Sequence, residues 1–209
     1  MVFAGTGAIV VNHGGAVSHV GVALTFGLVV FAMIAALSDV SGAHLNPAVT
    51  AGFVLARRLP GSLALPYILS QCGGAILASL ALRLLFPADR GLGGTIPSGS
   101  LPQAWTLELL LTAGLMFVIL CVSTGASEKG ITAGLAIGGT VALAALFAGP
   151  VCGASMNPAR SLGPAVVSWQ TGWLWLYLTA PFVGAALAVP ACRCVRESGC
   201  CTAAGEASR

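Results

Sequence analysis

Long apolar stretches, separated by short polar segments, dominate this sequence of 209 residues. A helix needs about 20 consecutive apolar residues to cross a bilayer. Only 7% of the residues are charged, whereas a soluble domain needs about a quarter to cover its surface. The sequence therefore predicts an all-α membrane protein, with full spans near 17–38, 62–86, 104–125, 131–149 and 171–192. The net charge of +3 is too small and too scattered to indicate a nucleic-acid partner.

Three further apolar segments are too short to cross a bilayer. The first is residues 1–11, "MVFAGTGAIVV", while 46–56 and 157–166 each open with Asn-Pro-Ala. Asparagine suits the N-cap of a helix, and proline suits the first turn, where its missing N–H is no loss. Each Asn-Pro-Ala triplet therefore predicts the start of a half-helix.

The two triplets belong to an internal repeat with an offset of 111 residues. "SGAHLNPAVTAG" (41–52) and "CGASMNPARSLG" (152–163) share six identities in twelve positions. An odd number of spans in each half makes the halves, about 1–86 and 104–192, inverted in the membrane, an architecture known from solute pathways. The alternative is that the triplets arose twice by chance. The repeat aligns Asn46, Pro47 and Ala48 with Asn157, Pro158 and Ala159.

Basic residues predict the orientation of the chain. By the positive-inside rule, the side with more Lys and Arg is cytoplasmic. The two half-helices are then expected to enter the membrane from opposite faces. We expect residues 1–192 to form one membrane domain and 193–209 to form a disordered cytoplasmic tail that contains cysteines. The expected cytoplasmic group is Arg57, Arg58, Lys129, Arg193, Arg196 and Arg209, and the expected outer group is Arg83, Arg90 and Arg160.

Glu108 lies within a predicted span, where a carboxylate is unfavourable and needs a partner. The repeat offset places its counterpart at position −3, before Met1. We therefore expect the chain to lack roughly the first half of its first helix. The alternative is a short re-entrant segment at the start of the chain.

Two Asn-Pro-Ala boxes on inverted halves, the second followed by Arg160, resemble the aquaporin or major intrinsic protein superfamily. "GPVCGASMNPARSLGPA" (149–165) is most similar to the nodulin-like intrinsic proteins and their bacterial relatives. The resemblance implies a right-handed bundle of six transmembrane helices, the first one shortened here, plus two half-helices. It also implies a homotetramer in the plasma (inner) membrane, with one pore in each subunit, no enzymatic activity and no cofactor.

The resemblance implies roles for particular residues. Asn46 and Asn157 would offer N–H donors to solutes at the pore centre. Glu108 would hold the outer pore loop through backbone N–H groups, although a proton-relay role is the alternative. The narrowest constriction, called the filter below, would be formed by Phe26, Ala145, Ala154 and Arg160.

The filter residues indicate which solutes pass. Strictly water-selective members carry histidine where this chain has Ala145, so the opening is expected to be wider here. Water, glycerol, urea and undissociated boric or arsenous acid are the expected solutes. Typical glycerol channels have a second aromatic residue near the position of Ala154, which this chain lacks. The alternatives are a water-selective aquaporin and, less favoured, an ion-coupled secondary transporter.

Several other residues suggest additional chemistry. His44 is either a pH gate at the cytoplasmic mouth or a loop histidine satisfied by backbone groups. Cys152 is expected near the outer mouth, within reach of mercurials. Four cysteines at the end of the chain are expected to be thiols on a flexible segment, and a thiophilic metal site is the alternative. They are Cys192, at the end of the last span, and Cys194, Cys200 and Cys201 in the tail.

Overall fold

Apolar helices make up the architecture of the computed structural model, which describes residues 1–123 and 131–195. A short 3₁₀ turn, Gly61–Leu63, precedes the fourth helix. Within the described ranges no strand is present. The helices are α1 (Val2–Asn12), α2 (Ser18–Ser41), α3 (Pro47–Leu55), α4 (Ala64–Leu85), α5 (Leu101–Val122), α6 (Ile131–Cys152), α7 (Pro158–Ser168) and α8 (Leu174–Val195).

Among the described residues, five helices are long and apolar enough to cross a membrane, which agrees with the five spans expected from the sequence. Their ends differ from the expected ones by a few residues. Helix α6 continues past 149 to Cys152, and α8 continues past 192 to Val195, so Arg193 and Cys194 are helical. Helix α1 has 11 residues and is too short for a full span. Lys129 and all tail residues from Arg196 to Arg209, including Cys200 and Cys201, lie outside the described residues.

The outer surface of the bundle is apolar. Only 17–44% of the most hydropathic window of each spanning helix is buried inside the chain. Leu28 and Leu84, for example, are 62% and 82% exposed. Helices that are apolar on every face, yet have little of that surface covered by protein, need a lipid surrounding. The chain is an integral membrane protein.

The two halves of the chain exchange contacts symmetrically. Helix α4 of the first half packs on α7 of the second, and α8 of the second half packs on α3 of the first. Helices α2 and α6, which correspond under the repeat, pack along one another. There, a Cβ on Gly27 would lie 2.6 Å from the Gly138 carbonyl oxygen, and a Cβ on Gly138 would lie 2.5 Å from that of Gly27. Small residues thus let these two helices approach closely.

Helix α6 contains Pro150, and its missing N–H leaves the carbonyl of Leu146 without a helical partner. The ring of His19, in the first turn of α2, supplies the substitute. His19 Nε2 lies 2.7 Å from the Leu146 oxygen. Because a carbonyl only accepts, Nε2 carries the proton in this contact. The side chain of His19 thus completes the hydrogen bonding of α6 close to its C-terminal end.

We expect His19→Ala to destabilise the protein by about 1 kcal/mol, the usual net value of one hydrogen bond. In a Pro150→Ala background, the new Ala N–H bonds the Leu146 carbonyl, and His19→Ala should then have little effect. Thermal unfolding in detergent measures all four proteins of this cycle. Equal losses of stability in both backgrounds would show that His19 does not replace the proline N–H.

Candidate functional site

Both half-helices begin at an asparagine in extended conformation, followed by proline at the first helical position. Asn46 Oδ1 accepts the N–H of Ala48 at 2.9 Å. Asn157 Oδ1 accepts the N–H groups of Ala159 at 3.0 Å and of Arg160 at 3.3 Å. The side-chain oxygen of each asparagine therefore caps its helix, as its residue type favours. Each side-chain amide nitrogen remains for other contacts.

The amide nitrogens join the two half-helices tip to tip. Asn46 Nδ2 donates to the carbonyl of Met156 at 2.7 Å, and Asn157 Nδ2 donates to the carbonyl of Leu45 at 2.9 Å. Asn157 Nδ2 also lies 3.9 Å from the sulfur of Met1, a weak acceptor. Since each amide has two N–H groups and one is used in the cross-link, the second can donate to a solute.

Strained backbone leads into each half-helix. Four residues other than glycine have positive φ, from 40° to 54°, and they occupy corresponding positions of the repeat. Such conformations persist only where the surrounding contacts impose them, and they concentrate at functional sites. Here they turn the carbonyls of Leu45 and Met156 toward the opposite asparagine. The four residues are Ala43, Leu45, Ala154 and Met156, each pair preceded by a positive-φ glycine, Gly42 or Gly153.

Glu108, in α5, is fully buried and binds the second of these strained segments. Its Oε1 accepts the N–H of Ser155 at 2.7 Å, and its Oε2 accepts the N–H of Met156 at 2.7 Å. Both carboxylate oxygens are therefore bound to backbone. This arrangement suits an anchor of the loop better than a proton relay, which would need a carboxylate that is free to exchange protons.

Arg160 lies one turn into α7, and only 2% of its surface is exposed. Its Nη1 donates to the carbonyl of Gly93 at 3.0 Å, and its Cζ lies 5.1 Å from the centre of the Phe26 ring. Its Nε is buried and has no hydrogen-bond partner in the described part of the chain. A guanidinium has five N–H groups, and the bond to Gly93 uses one of them, so the unused N–H groups that face the cavity can donate to a polar solute.

The loop that presents Gly93 to Arg160 is held by Asp89. Asp89 Oδ1 accepts the N–H groups of Gly91 and Leu92 at 3.0 and 2.7 Å, and Oδ2 lies 2.6 Å from Nδ1 of His13. Burial alone would raise the pKa of Asp89, but these hydrogen bonds outweigh it and hold the pKa below its ordinary value. Sequence reasoning missed this loop. Its length and glycine content were the available signal, because long ordered loops are often functional.

One cavity of about 380 Å³ connects these groups. Asn46 and Asn157 border it, and so do the four filter positions Phe26, Ala145, Ala154 and Arg160. Toward the other end it reaches Asp39, Arg58 and Ser123. Glu108 supports the cavity wall without bordering it. The remaining residues of the two boxes, Pro47, Ala48, Pro158 and Ala159, are buried and form the first turns of the half-helices.

Two sequence-based expectations about single residues need correction. His44 Nδ1 lies 3.1 Å from the hydroxyl of Thr50, and the ring stacks on Phe53 with centroids 4.5 Å apart, so side chains rather than backbone satisfy it. Cys152 is fully buried, with Sγ 3.5 Å from the carbonyl of Ala148. The expectation that Cys152 lies within reach of mercurials is wrong, because its side chain is buried in the bundle at the end of α6.

Comparisons with known proteins identify related sequences and a related structure. The sequence profile of the family described as "Major intrinsic protein" matches residues 1–191. Aquaporin NIP1-4 of Oryza sativa subsp. japonica is 48% identical over 95% of this chain and 74% of its own length. A probable aquaporin of Arabidopsis thaliana, NIP4-2, is 45% identical over 88% of this chain. The chain spans 66% of that relative's length, and 64% of the length of Aquaporin NIP1-2 of Oryza sativa subsp. japonica.

A solved structure has the same architecture. The X-ray structure of the aquaglyceroporin from Plasmodium falciparum superposes with a TM-score of 0.82 and 26% sequence identity. The match covers 90% of this chain and 88% of the other.

Proposed function

The chain belongs to the major intrinsic protein family, and on that premise we propose that it forms a passive channel for water and small neutral solutes. The family and the fold predicted from the sequence, an all-α membrane bundle with two half-helices, are confirmed. The family is one of channels rather than enzymes. Its nodulin-like members are among the chain's relatives, at 45–48% identity.

The observation that carries the proposal is the set of donors around one cavity. The N-termini of both half-helices meet there, and each carries a partial positive charge. Asn46 and Asn157 each use one side-chain N–H in the cross-link and keep a second, for which Asn157 has only the weakly accepting sulfur of Met1 nearby. Arg160 uses one of its five N–H groups in the bond to Gly93 and keeps others for a solute. The oxygen of a neutral solute accepts these hydrogen bonds in succession, replaces the contacts it had in water, and moves on.

The same donors exclude ions and protons. A cation that enters must lose water, and it meets only donors and positive potential, so it recovers no hydration energy. Water molecules that accept from both asparagines turn their own hydrogens outward in opposite directions. This orientation interrupts the hydrogen-bonded chain along which a proton would hop.

The filter composition supports passage of solutes larger than water. Phe26 and Arg160 form an apolar and a polar wall, and Ala145 and Ala154 leave the remaining sides open. Glycerol, urea and undissociated boric or arsenous acid match this half-apolar opening. The solved neighbour is named an aquaglyceroporin, which supports a polyol among the solutes. Ala154 in place of a second aromatic residue favours a broad range of small neutral solutes over glycerol alone.

We also propose a plasma (inner) membrane location, a homotetramer and a cytoplasmic C-terminus. Exposed apolar side chains on every spanning helix support contact with lipid and with further subunits. Arg58 donates to the Leu120 carbonyl at the C-terminal end of α5, whereas Arg83 donates to the Asp89 carbonyl at the opposite end of the bundle. This separation agrees with the positive-inside grouping of the basic residues.

Proteoliposomes test the proposal. Stopped-flow light scattering should show that the protein raises permeability to water, glycerol, urea and boric acid, without saturation and without dependence on an ion gradient. Permeability to water alone would indicate a water-selective aquaporin. Saturable uptake driven by an ion gradient would indicate a coupled transporter. Among the described residues, Glu108 and Arg160 are the charged side chains that are buried. Both oxygens of Glu108 are bound to backbone N–H groups, so this carboxylate is not available as a ligand for a driving ion.

We expect Ala145→His to reduce glycerol permeability about tenfold, equivalent to ~1.4 kcal/mol of added barrier, and to change water permeability little. The larger polar ring narrows the opening below the width of a polyol but leaves room for water. Ala145→Ser is the matched control, because it adds one polar atom and keeps the opening wide. Equal losses of water and glycerol permeability, or no loss of either, would contradict a wide filter.

A further inference from the structure

Gly5, in α1, lies directly behind the Phe26 ring. A Cβ atom added to Gly5 would lie 2.2 Å from Cε1 of Phe26 and 2.5 Å from both Cδ1 and Cζ. Carbon atoms in favourable contact are separated by about 3.5 Å or more, so a methyl group would displace the ring edge by roughly 1.3 Å. The position of the ring therefore depends on residue 5 being a glycine, which has no Cβ.

The free space for such a displacement lies on the cavity side. Phe26 and Arg160 both border the cavity, and the guanidinium carbon of Arg160 is 5.1 Å from the ring centre. Helix α1 itself has little room to retreat. The backbone of Gly93 packs against it so closely that a Cβ there would lie 2.5 Å from the Thr6 carbonyl oxygen, and a Cβ on Gly7 would lie 3.3 Å from Leu82.

We propose that Gly5 is a positioning residue that sets the width of the filter through Phe26. With glycine, the ring lies back against α1 and the opening admits solutes wider than water. With any larger residue, the ring moves toward Arg160 and the opening becomes narrower. The proposal rests on the proposed channel function and adds a residue on α1 to the determinants of solute size.

The test is a permeability cycle in proteoliposomes, with rates divided by the amount of folded protein. Gly5→Ala should reduce the ratio of glycerol to water permeability about tenfold, because a narrower opening raises the energy barrier for glycerol more than for water. In a Phe26→Leu background, the shorter side chain leaves room for the methyl group, and Gly5→Ala should leave the ratio unchanged. Gly139→Ala is the matched control, because a Cβ on this helical glycine meets no atom within 4 Å.

Each outcome decides the proposal. An unchanged ratio in Gly5→Ala, or a reduced ratio that persists in the Phe26→Leu background, would overturn it. If Gly5→Ala alone does not fold, the double variant with Phe26→Leu decides the question. Recovery of folding, with the same ratio of glycerol to water permeability as in Phe26→Leu alone, supports the steric contact. A lower ratio in the double variant overturns the proposal. Wild-type protein that passes neither water nor glycerol would instead refute the proposed channel function, so the two failures are distinguishable.

Discussion

Glu108→Ala is expected to abolish channel activity and to destabilise the fold by roughly 2–6 kcal/mol, from about 1–3 kcal/mol for each buried N–H left without an acceptor. The two donors belong to Ser155 and Met156. Met156 has φ of 52°, a conformation that the carboxylate helps to impose. Without that anchor the segment relaxes, and the Met156 carbonyl no longer meets Asn46. Thermal unfolding in detergent and water permeability in proteoliposomes measure the two effects.

Graded variants separate an anchoring role from a proton relay. Glu108→Gln keeps one acceptor oxygen and should be intermediate in stability. Thr140→Val is the control, because within the described residues the Thr140 hydroxyl bonds a carbonyl of its own helix, that of Ala136, and no other group. A proton relay predicts that Glu108→Gln folds as stably as the wild type. Wild-type stability and permeability in Glu108→Ala would refute the anchoring role.

Arg160→Ala is expected to let protons and small cations through. A fixed charge about 4 Å from a passing cation contributes about 4 kcal/mol at an effective dielectric constant near 20, or on the order of a thousandfold in rate. The remaining positive potential of the half-helix ends lowers this figure, so a thousandfold increase is the upper end. A pH-sensitive dye inside proteoliposomes measures the proton flux.

Arg160→Lys is the matched control for charge. It keeps the cation but not the planar fork of donors. We expect Arg160→Lys to exclude protons as the wild type does, while its ratio of glycerol to water permeability changes. Proton flux that is the same in Arg160→Ala and in the wild type would mean that the asparagines and the helix ends alone exclude cations.

Local rules account for what could be predicted from the sequence. Asn46 and Asn157 cap their helices as their residue type favours, and Pro47 and Pro158 follow at the first helical positions. The apolar spans were evident because a bilayer requires about 20 apolar residues per crossing. The two Asn-Pro-Ala boxes align at an offset of 111 residues, because an internal repeat can be found by comparing the sequence with itself.

Contacts between distant residues account for what was missed. Pro150 suggests the end of a helix, yet α6 continues to Cys152, because His19 from α2 hydrogen-bonds the carbonyl that the proline leaves unpaired. The bond from Arg160 to the Gly93 carbonyl likewise depends on the loop between α4 and α5, which Asp89 organises. No pattern within either segment specifies the other partner.

The sequence by itself determined that the chain crosses a membrane several times and that two half-helices start at its asparagines. Helix capping depends on residues within one turn, and hydropathy on residues within one span, so both can be predicted from neighbouring residues in the sequence. Only the tertiary structure decided how wide the opening is. That width depends on a separation of a few ångströms between Gly5 on one helix and Phe26 on another, and such a clearance exists only after the helices have packed.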